Sequence, residues 1–164
     1  MDSIEINSDI KLTNEQNNAI LNAIKYPLSC ISGFPGTGKS TIIKSIVDYY
    51  NKNNIYCWLM APTGKAVKDL KIKCNKNGDK FAGTIHRFLF VLYPQLKNKS
   101  FCDDNSFYKD FVTKYPDPFQ IFIVDEASMI SFDIFTYLIK IIIENNGKLV
   151  LVGDKNQLPP VHVG

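Results

Sequence analysis

The residues best suited to chemistry form the run Gly33-Phe34-Pro35-Gly36-Thr37-Gly38-Lys39-Ser40, which fits the pattern G-x-x-x-x-G-K-[ST]. Glycines in such a run let successive backbone amides turn inward and surround the oxygen atoms of a phosphate. Lys39 would reach the β and γ phosphates of a nucleoside triphosphate, and the Ser40 hydroxyl would bind Mg²⁺. The alternative is a glycine-rich turn that happens to precede Lys-Ser. An apolar strand before the run and an amphipathic helix after it favour the phosphate loop.

A second candidate element is an apolar strand that ends in two carboxylates, residues 121–124 followed by Asp125 and Glu126. Asp125 would bind Mg²⁺, usually through water, and Glu126 would polarise a water molecule for in-line attack on the γ phosphate. Nucleotide kinases and GTPases need no such second carboxylate, so the pair favours an ATP hydrolase. The alternative is an acidic turn at a strand end, which the phosphate loop elsewhere in the chain makes the weaker interpretation.

A third element is an apolar strand with a polar amide on its exit turn. Residues 149–152 run into Gly153-Asp154-Lys155-Asn156-Gln157. If this strand ends beside the phosphate loop, the Gln157 amide can contact the γ phosphate and respond to its loss.

These three elements require a sheet that brings strand ends together, and the periodicity of the chain predicts one. The apolar runs that predict strands are residues 28–31, 55–60, 121–124 and 149–152. Residues 139–143 could form a hairpin with the last strand through a turn at Asn146-Gly147, but the apolar residues of 131–144 repeat at helical spacing, which favours a helix. Alternating strands and helices predict an α/β fold, with a parallel sheet, helices on both faces and right-handed crossovers.

Composition limits the class of protein. The chain has 164 residues, of which 45% are hydrophobic and 21% charged, with a net charge of +3. These values exclude a disordered or collagen-like chain, fit a single domain, and permit nucleic-acid binding without requiring it. The four cysteines form no Cys-x-x-Cys pair, and we find no leader and no apolar run of about 20 residues. We therefore expect an intracellular protein, cytoplasmic or nucleoid-associated, with no membrane partner; its lysine-rich composition is compatible with a viral source.

Five motifs together resemble those of a known family. In chain order they are GFPGTGKST, APTGKA, TIH, VDEASM and GDKNQLPPV. Their order and spacing resemble the first RecA-like domain of superfamily 1 helicases, in the RecD-like and Dda-like branch that translocates 5′ to 3′ on single-stranded DNA. The resemblance spans the chain from about Leu12 to its end. It implies a P-loop NTPase fold over residues 1–164, with ATP and Mg²⁺ as cofactors and a role in DNA repair or recombination.

The resemblance also implies roles for particular residues. Those of the triphosphate and Mg²⁺ site are Gln16, Gly33, Pro35, Gly36, Thr37, Gly38, Lys39, Ser40, Thr41 and Asp125. The implied catalytic residues are Lys39, Glu126 as general base and Gln157 as γ-phosphate contact. Gln16 would read adenine. However, Thr13-x-x-Gln16 also matches a capping box, in which the glutamine satisfies the start of a helix, and the two roles are compatible.

The implied DNA contacts lie at the exit of the strand predicted over 55–60 and in the family's next DNA-facing motif. They are Pro62, Thr63, Gly64, Lys65, Thr84 and His86. Taken alone, His86 favours a buried or capping histidine, and only the resemblance makes a DNA contact an equal alternative. The basic run from Lys65 to Lys80 could follow a phosphate backbone or form a solvated helix face. Trp58 lies inside a predicted strand, which favours a core position over a stacking platform.

Two further expectations concern the extent of the motor. Residues 91–119 fall where this branch inserts a small subdomain with a pin hairpin that splits a DNA fork, although its aromatic residues could instead pack on the core. In this family the motor also needs a second RecA-like domain, in cis or in trans, which donates arginine fingers. We expect no such domain within these 164 residues, in which Arg87 is the only arginine. We therefore expect the chain alone to bind Mg·ATP weakly and to be nearly inactive.

Two other functions remain open at this stage. One is a non-catalytic remnant that binds nucleotide or DNA, which the intact Lys39, Asp125, Glu126 and Gln157 disfavour because such a remnant needs no general base. The other is a P-loop ATPase of a different family, which the GDKNQLPPV motif disfavours.

Overall fold

The computed structural model describes residues 11–74, 82–92, 121–144 and 146–154. The helices in these ranges are α1 (Asn14–Lys25), α2 (Lys39–Lys52), α3 (Gly64–Cys74), α4 (Ile85–Leu92) and α5 (Phe132–Glu144). The strands are β1 (Leu28–Ser32), β2 (Cys57–Ala61), β3 (Ala82–Thr84), β4 (Ile121–Val124) and β5 (Lys148–Gly153). A short 3-10 turn, Ala127–Met129, follows β4. None of the helices in the described ranges has the length and apolar character needed to cross a bilayer.

The strands form one parallel sheet in the order β1-β5-β4-β2-β3. The chain passes first from β1 to β2 and β3, then returns to place β4 and β5 between β2 and β1. Because all strands are parallel, their carboxyl ends meet at one edge of the sheet, where ligands bind in such folds. The α/β fold predicted from the sequence is confirmed.

Helices cover both faces of the sheet. On the first face α1, α2 and α3 pack against inward residues such as Leu59, and on the second face α4 and α5 pack against Phe122. Strands β2 and β4 are buried at every position, as their unbroken apolar sequences require. Trp58 is 3% exposed, and its ring centroid lies 4.9 Å from that of Phe88, so its predicted core position is confirmed.

The direction of each connection matches the face that its helix covers. Connections that lead away from β1 contain α2 and α3 and lie on the first face, whereas those that return toward β1 contain α4 and α5 and lie on the second. All of them therefore have one hand, as expected for right-handed crossovers.

Two contacts from β5 fix the chain between the last turn of α1 and the start of β1. The ammonium of Lys148 donates to the carbonyl oxygen of Ile24 in the last turn of α1, and burial lowers the pKa of this lysine. The backbone amide of Leu149 donates to the carbonyl oxygen of Pro27 at 2.8 Å. These contacts set the position from which β1 runs toward the phosphate loop.

Some predicted boundaries differ from the structure. The helix predicted over 131–144 is confirmed as α5, so the hairpin alternative is wrong. The strand predicted from residue 55 begins at Cys57, because Ile55 and Tyr56 precede the pairing with β4. The short β3 and the helix α4 that follows it were not predicted.

Candidate functional site

Three elements predicted to carry chemistry converge at the carboxyl edge of the sheet. The phosphate loop follows β1, the Asp125-Glu126 pair follows β4, and Asp154 follows β5, which lies between those two strands. The loop is joined to its neighbour by a hydrogen bond of 3.3 Å from the amide of Gly33 to the carbonyl oxygen of Gly153. The sheet order therefore brings the loop at residues 33–40 next to carboxylates at residues 125, 126 and 154.

The backbone of the loop depends on two glycines. Gly36 and Gly38 have φ angles of +80° and +83°, in the left-handed region that L residues adopt only with strain. Gly38 is the N-terminal cap of α2, and the amide of Ile42 donates to its carbonyl oxygen at 3.1 Å. The earlier amides of the helix, including those of Ser40 and Thr41, have no intrahelical acceptor. Together with the helix dipole they form an anion site.

Lys39 lies across the loop rather than away from it. Its ammonium donates to the carbonyl oxygens of Gly33 at 2.6 Å and Phe34 at 2.9 Å. A phosphate oxygen entering the loop would take the place of these acceptors and form a charge-assisted bond with the same ammonium. Lysine and amide donors, with the half-buried Ser40 hydroxyl, fit a triphosphate and one bound Mg²⁺.

Gln16 contacts the loop and caps α1 at the same time. Its Nε2 atom donates to the carbonyl oxygen of Thr37 at 3.1 Å. Its Oε1 atom accepts from the amide of Thr13 at 3.0 Å, and the Thr13 hydroxyl accepts from the amide of Gln16 at 3.2 Å. The capping box is therefore present, and the side chain also reaches the predicted site. Its reading of adenine stays a prediction.

Thr37 closes the loop from within. Its hydroxyl donates to the carbonyl oxygen of Phe34 at 2.8 Å. A Cβ placed on Gly33 would lie 2.6 Å from that hydroxyl oxygen, so no other residue fits at Gly33 without displacing Thr37. Pro35, between them, is exposed.

The acidic pair lies in a tight turn. The amide of Asp125 donates to the carbonyl oxygen of Met60 at 2.9 Å, which ties β4 to β2 just beyond its last paired residue. One carboxylate oxygen of Asp125 accepts from the amide of Glu126 at 2.9 Å, and Glu126 has a φ of +53°. Both side chains are half-buried. The turn therefore leaves Asp125 oxygen lone pairs for a metal and directs the chain into the 3-10 turn that follows.

Asp154 is a functional candidate that the sequence analysis missed. It is 3% exposed, and it lines an open cleft of about 430 Å³ together with Gln16, Phe34, Thr37 and Lys39. The preceding Gly153 lets β5 pack closely against the 3-10 turn after β4, because a Cβ there would lie 3.2 Å from the amide nitrogen of Ser128. The GDKNQ motif contains this aspartate, but only the fold shows that its carboxylate lies in the cleft.

The predicted DNA contacts lie on two adjacent turns at the same edge. Thr63 caps α3, since its hydroxyl accepts from the amide of Ala66 at 3.2 Å. Thr84 caps α4, since its hydroxyl accepts from the amide of Arg87 at 3.2 Å. The sheet pairs Ala61 with Thr84, so the two turns are neighbours.

The remaining predicted residues near these turns are mostly exposed. Pro62 is half-buried, whereas Gly64, Lys65 and His86 are exposed, which excludes a buried histidine. The exposed lysines of α3 are Lys65, Lys68, Lys71 and Lys73. Lys76, Lys80 and Gln157 lie outside the described residues. So does the proposed inserted subdomain at 91–119, except for its first two residues, which end α4.

Comparison with known proteins identifies relatives. The family model described as an AAA domain matches residues 16–163. The ATP-dependent RecD2 DNA helicase of Deinococcus radiodurans is 31% identical over 153 residues, which cover 93% of this chain and 19% of that protein. The RecBCD enzyme subunit RecD of Haemophilus influenzae is 32% identical over 162 residues, which cover 93% of this chain and 25% of that protein.

A solved structure shows the same fold. The crystal structure of the Pif1 helicase from Candida albicans superposes with a TM-score of 0.64 at 26% identity, covering 93% of this chain and 34% of that one. The chain therefore spans about a fifth to a third of the length of these relatives.

Proposed function

The chain belongs to the AAA-domain family of RecD-like and Pif1-like superfamily 1 helicases, and we propose that it is the N-terminal, ATP-binding motor domain of an ATP-dependent DNA helicase. The observation that carries this proposal is the convergence of the phosphate loop, the Asp125-Glu126 pair and Asp154 at the ends of three adjacent strands. In a parallel sheet this edge is where a nucleotide can contact all three elements at once.

ATP binding would rest on the loop and the first turn of α2. The triphosphate would accept hydrogen bonds from the amides that follow Gly38, and Lys39 would leave the loop carbonyls to bind the β and γ phosphates. Adenine would lie near the start of α1, where Gln16 lines the cleft. The Nε2 contact of Gln16 with Thr37 would hold the loop in its bound shape.

Hydrolysis would use residues at the ends of β4 and β5. Mg²⁺, held by Ser40 and, through water, by Asp125, would neutralise charge that develops on the phosphates. Glu126 would take a proton from the attacking water, and Gln157 would contact the γ phosphate. The buried Asp154 would orient groups on the loop side of the cleft.

Single-stranded DNA, or a fork, would bind at the neighbouring turns after β2 and β3. Backbone amides at the starts of α3 and α4 point toward this edge, and Lys65 and His86 are exposed beside them. Such contacts go to the phosphate backbone, so they give affinity without sequence preference. The turns after β2 and β3 lie at the same edge of the sheet as the phosphate loop. Strands β2 and β4 could therefore couple DNA binding to nucleotide binding.

A second RecA-like domain, in cis or in trans, would complete the motor by contributing arginine fingers, which are worth roughly 10³–10⁵ in rate in related systems. The decisive experiment compares ATPase activity and strand separation of this chain and of a version extended downstream of Gly164, with single-stranded DNA present. The extended version should hydrolyse ATP in a DNA-dependent way, and Lys39→Ala and Glu126→Gln should abolish turnover. Unchanged turnover in Glu126→Gln would show that Glu126 is not the base.

A further inference from the structure

The cleft beside the phosphate loop reaches from the loop to the first turn of α1. Its volume is about 430 Å³, and Glu15 and Gln16 of α1 line it together with Lys39 of the loop. A Cβ built on Gly38, the N-terminal cap of α2, would lie 2.5 Å from Nε2 of Gln16. The first turn of α1 therefore lies directly against the start of α2, from which a bound triphosphate would extend.

The rest of the nucleotide would leave the loop on the side that faces α1. In the proposed function the β and γ phosphates bind to Lys39 and to the amides that follow Gly38, so the α phosphate lies next to the first turn of α2. The hydroxyl oxygen of Thr41 would lie 3.9 Å from the same Cβ on Gly38 that approaches Gln16. Thr41 and Gln16 therefore border one space. The ribose, which joins the α phosphate to the base, would occupy the part of the cleft next to α1.

Glu15 carries the carboxylate on the α1 side of the cleft. Both polar atoms of the neighbouring Gln16 already have partners, since Nε2 donates to Thr37 at 3.1 Å and Oε1 accepts from Thr13 at 3.0 Å. Ala19, the third α1 residue of this wall, is apolar. Glu15 is exposed, and in the part of the chain that the structure describes its carboxylate forms no hydrogen bond or ion pair. Glu15 is therefore the acceptor that this wall offers to a ligand.

A carboxylate in this position fits the ribose better than it fits the other parts of a nucleotide. Its two oxygens can accept from two neighbouring donors, and the 2′ and 3′ hydroxyls of ribose are such a pair. Carboxylates hold ribose hydroxyls in dinucleotide sites by the same chemistry. The phosphates offer no donor and would repel the negative charge, and the adenine amine presents one nitrogen rather than two adjacent hydroxyls. A deoxyribose would leave one carboxylate oxygen without its partner.

We propose that Glu15 binds the 2′ and 3′ hydroxyls of the ribose and thereby makes the site prefer ribonucleoside triphosphates to deoxyribonucleoside triphosphates. The inference rests on the proposed function and deepens it, because it names the sugar that the same site selects. Glu15 is also an acid in the first turn of α1, where its charge stabilises the helix. That stabilising effect is the same for every nucleotide, whereas the ribose contact changes the ratio of affinities for nucleotides that differ only in the sugar.

Calorimetric titration with four nucleotides in the presence of Mg²⁺ tests the proposal. The nucleotides are ATP, 2′-deoxy-ATP, 3′-deoxy-ATP and ITP, in which an oxygen replaces the adenine amine. The wild-type chain should bind ATP about tenfold more tightly than either deoxy nucleotide, because each missing hydroxyl removes a hydrogen bond to a charged group. This preference should fall in Glu15→Gln and disappear in Glu15→Ala. The ratio of ATP to ITP affinity should be the same in all three proteins.

Asp133→Asn is the matched control and should keep the full preference, because Asp133 is an exposed acid in the first turn of α5 that does not line this cleft. Equal affinity of the wild-type chain for ATP and 2′-deoxy-ATP, in binding that Lys39→Ala weakens, would overturn this inference and leave the proposed function standing. A preference for ribose that persists in Glu15→Ala would also overturn it. So would a changed ratio of ATP to ITP affinity in that variant, since Glu15 would then contact the base. Absence of nucleotide binding by the wild-type chain would overturn the proposed function as well.

Discussion

The Nε2 atom of Gln16 donates a hydrogen bond of 3.1 Å to the carbonyl oxygen of Thr37, which joins the first turn of α1 to the centre of the phosphate loop. The Oε1 atom of the same carboxamide accepts from the amide of Thr13. The Gln16 side chain therefore caps the start of α1 through Oε1 and supports the phosphate loop through Nε2. Substitutions that remove one atom at a time can separate the two effects.

We predict that Gln16→Glu weakens ATP binding with little loss of stability. Glutamate keeps an acceptor for the amide of Thr13, but it cannot donate to the carbonyl of Thr37 and it adds a negative charge near the phosphates. Gln16→Ala should lose the capping contact as well, which lowers the unfolding free energy by about 1 kcal/mol. Urea unfolding and ATP titration of both variants test this. Equal losses of stability in the two variants would contradict the prediction that the capping contact and the loop contact of Gln16 have separate effects.

We predict that Gly38→Ala weakens ATP binding more than Gly36→Ala does. Both positions have positive φ, so both variants bear a backbone strain of about 1–2 kcal/mol. A Cβ on Gly38 would also lie 2.5 Å from Nε2 of Gln16, whereas a Cβ on Gly36 meets nothing within 4 Å. In a Gln16→Ala background the difference between the two glycine variants should vanish. A difference that persists there would show that Gln16 is not the cause.

We predict that stability falls with rising pH between about pH 9 and 12, in part through Cys74. Burial raises the pKa of its thiol from 9.0 to about 12, so over this range the unfolded chain releases a proton that the folded chain retains. Tyr50, whose pKa burial also raises, acts in the same direction. Cys74→Ala should flatten the pH dependence of the unfolding free energy over this range. An identical slope in Cys74→Ala would refute this assignment.

We predict that Lys65→Ala lowers the salt dependence of single-stranded DNA binding, whereas Lys73→Ala does not. Lys65 lies in the first turn of α3, beside Thr63 at the carboxyl edge, and Lys73 lies in the last turn, away from that edge. Loss of one phosphate contact reduces the slope of log affinity against log salt by about 1. The measurement is fluorescence anisotropy with a DNA oligonucleotide at several salt concentrations. A slope change in Lys73→Ala as large as in Lys65→Ala would place the DNA elsewhere.

Features that depend on local chemistry were predictable from the sequence. The phosphate loop follows from glycine and lysine positions, and β2, β4 and β5 follow from unbroken apolar runs. The capping box was visible from Thr13 and Gln16 alone. In each case the signal lies within a few neighbouring residues.

Features that depend on strand order were not predictable. Ala82-Gly83-Thr84 becomes β3 by pairing with β2, although glycine disfavours strands and three residues show no period. The burial of Asp154 and the contact of Gln16 with Thr37 arise because distant segments meet. No pattern among neighbouring residues predicts which distant segments come into contact.

The central claim, that this chain is an ATP-binding motor domain, is tested most directly by calorimetric titration of the 164-residue chain with ATP, with and without Mg²⁺. The wild-type chain should bind ATP weakly and in a Mg²⁺-dependent way. Lys39→Ala should stay folded and bind at least about tenfold more weakly, a difference of 1.4 kcal/mol. Equal affinity in the wild-type chain and in folded Lys39→Ala, or no binding by either, would contradict the account.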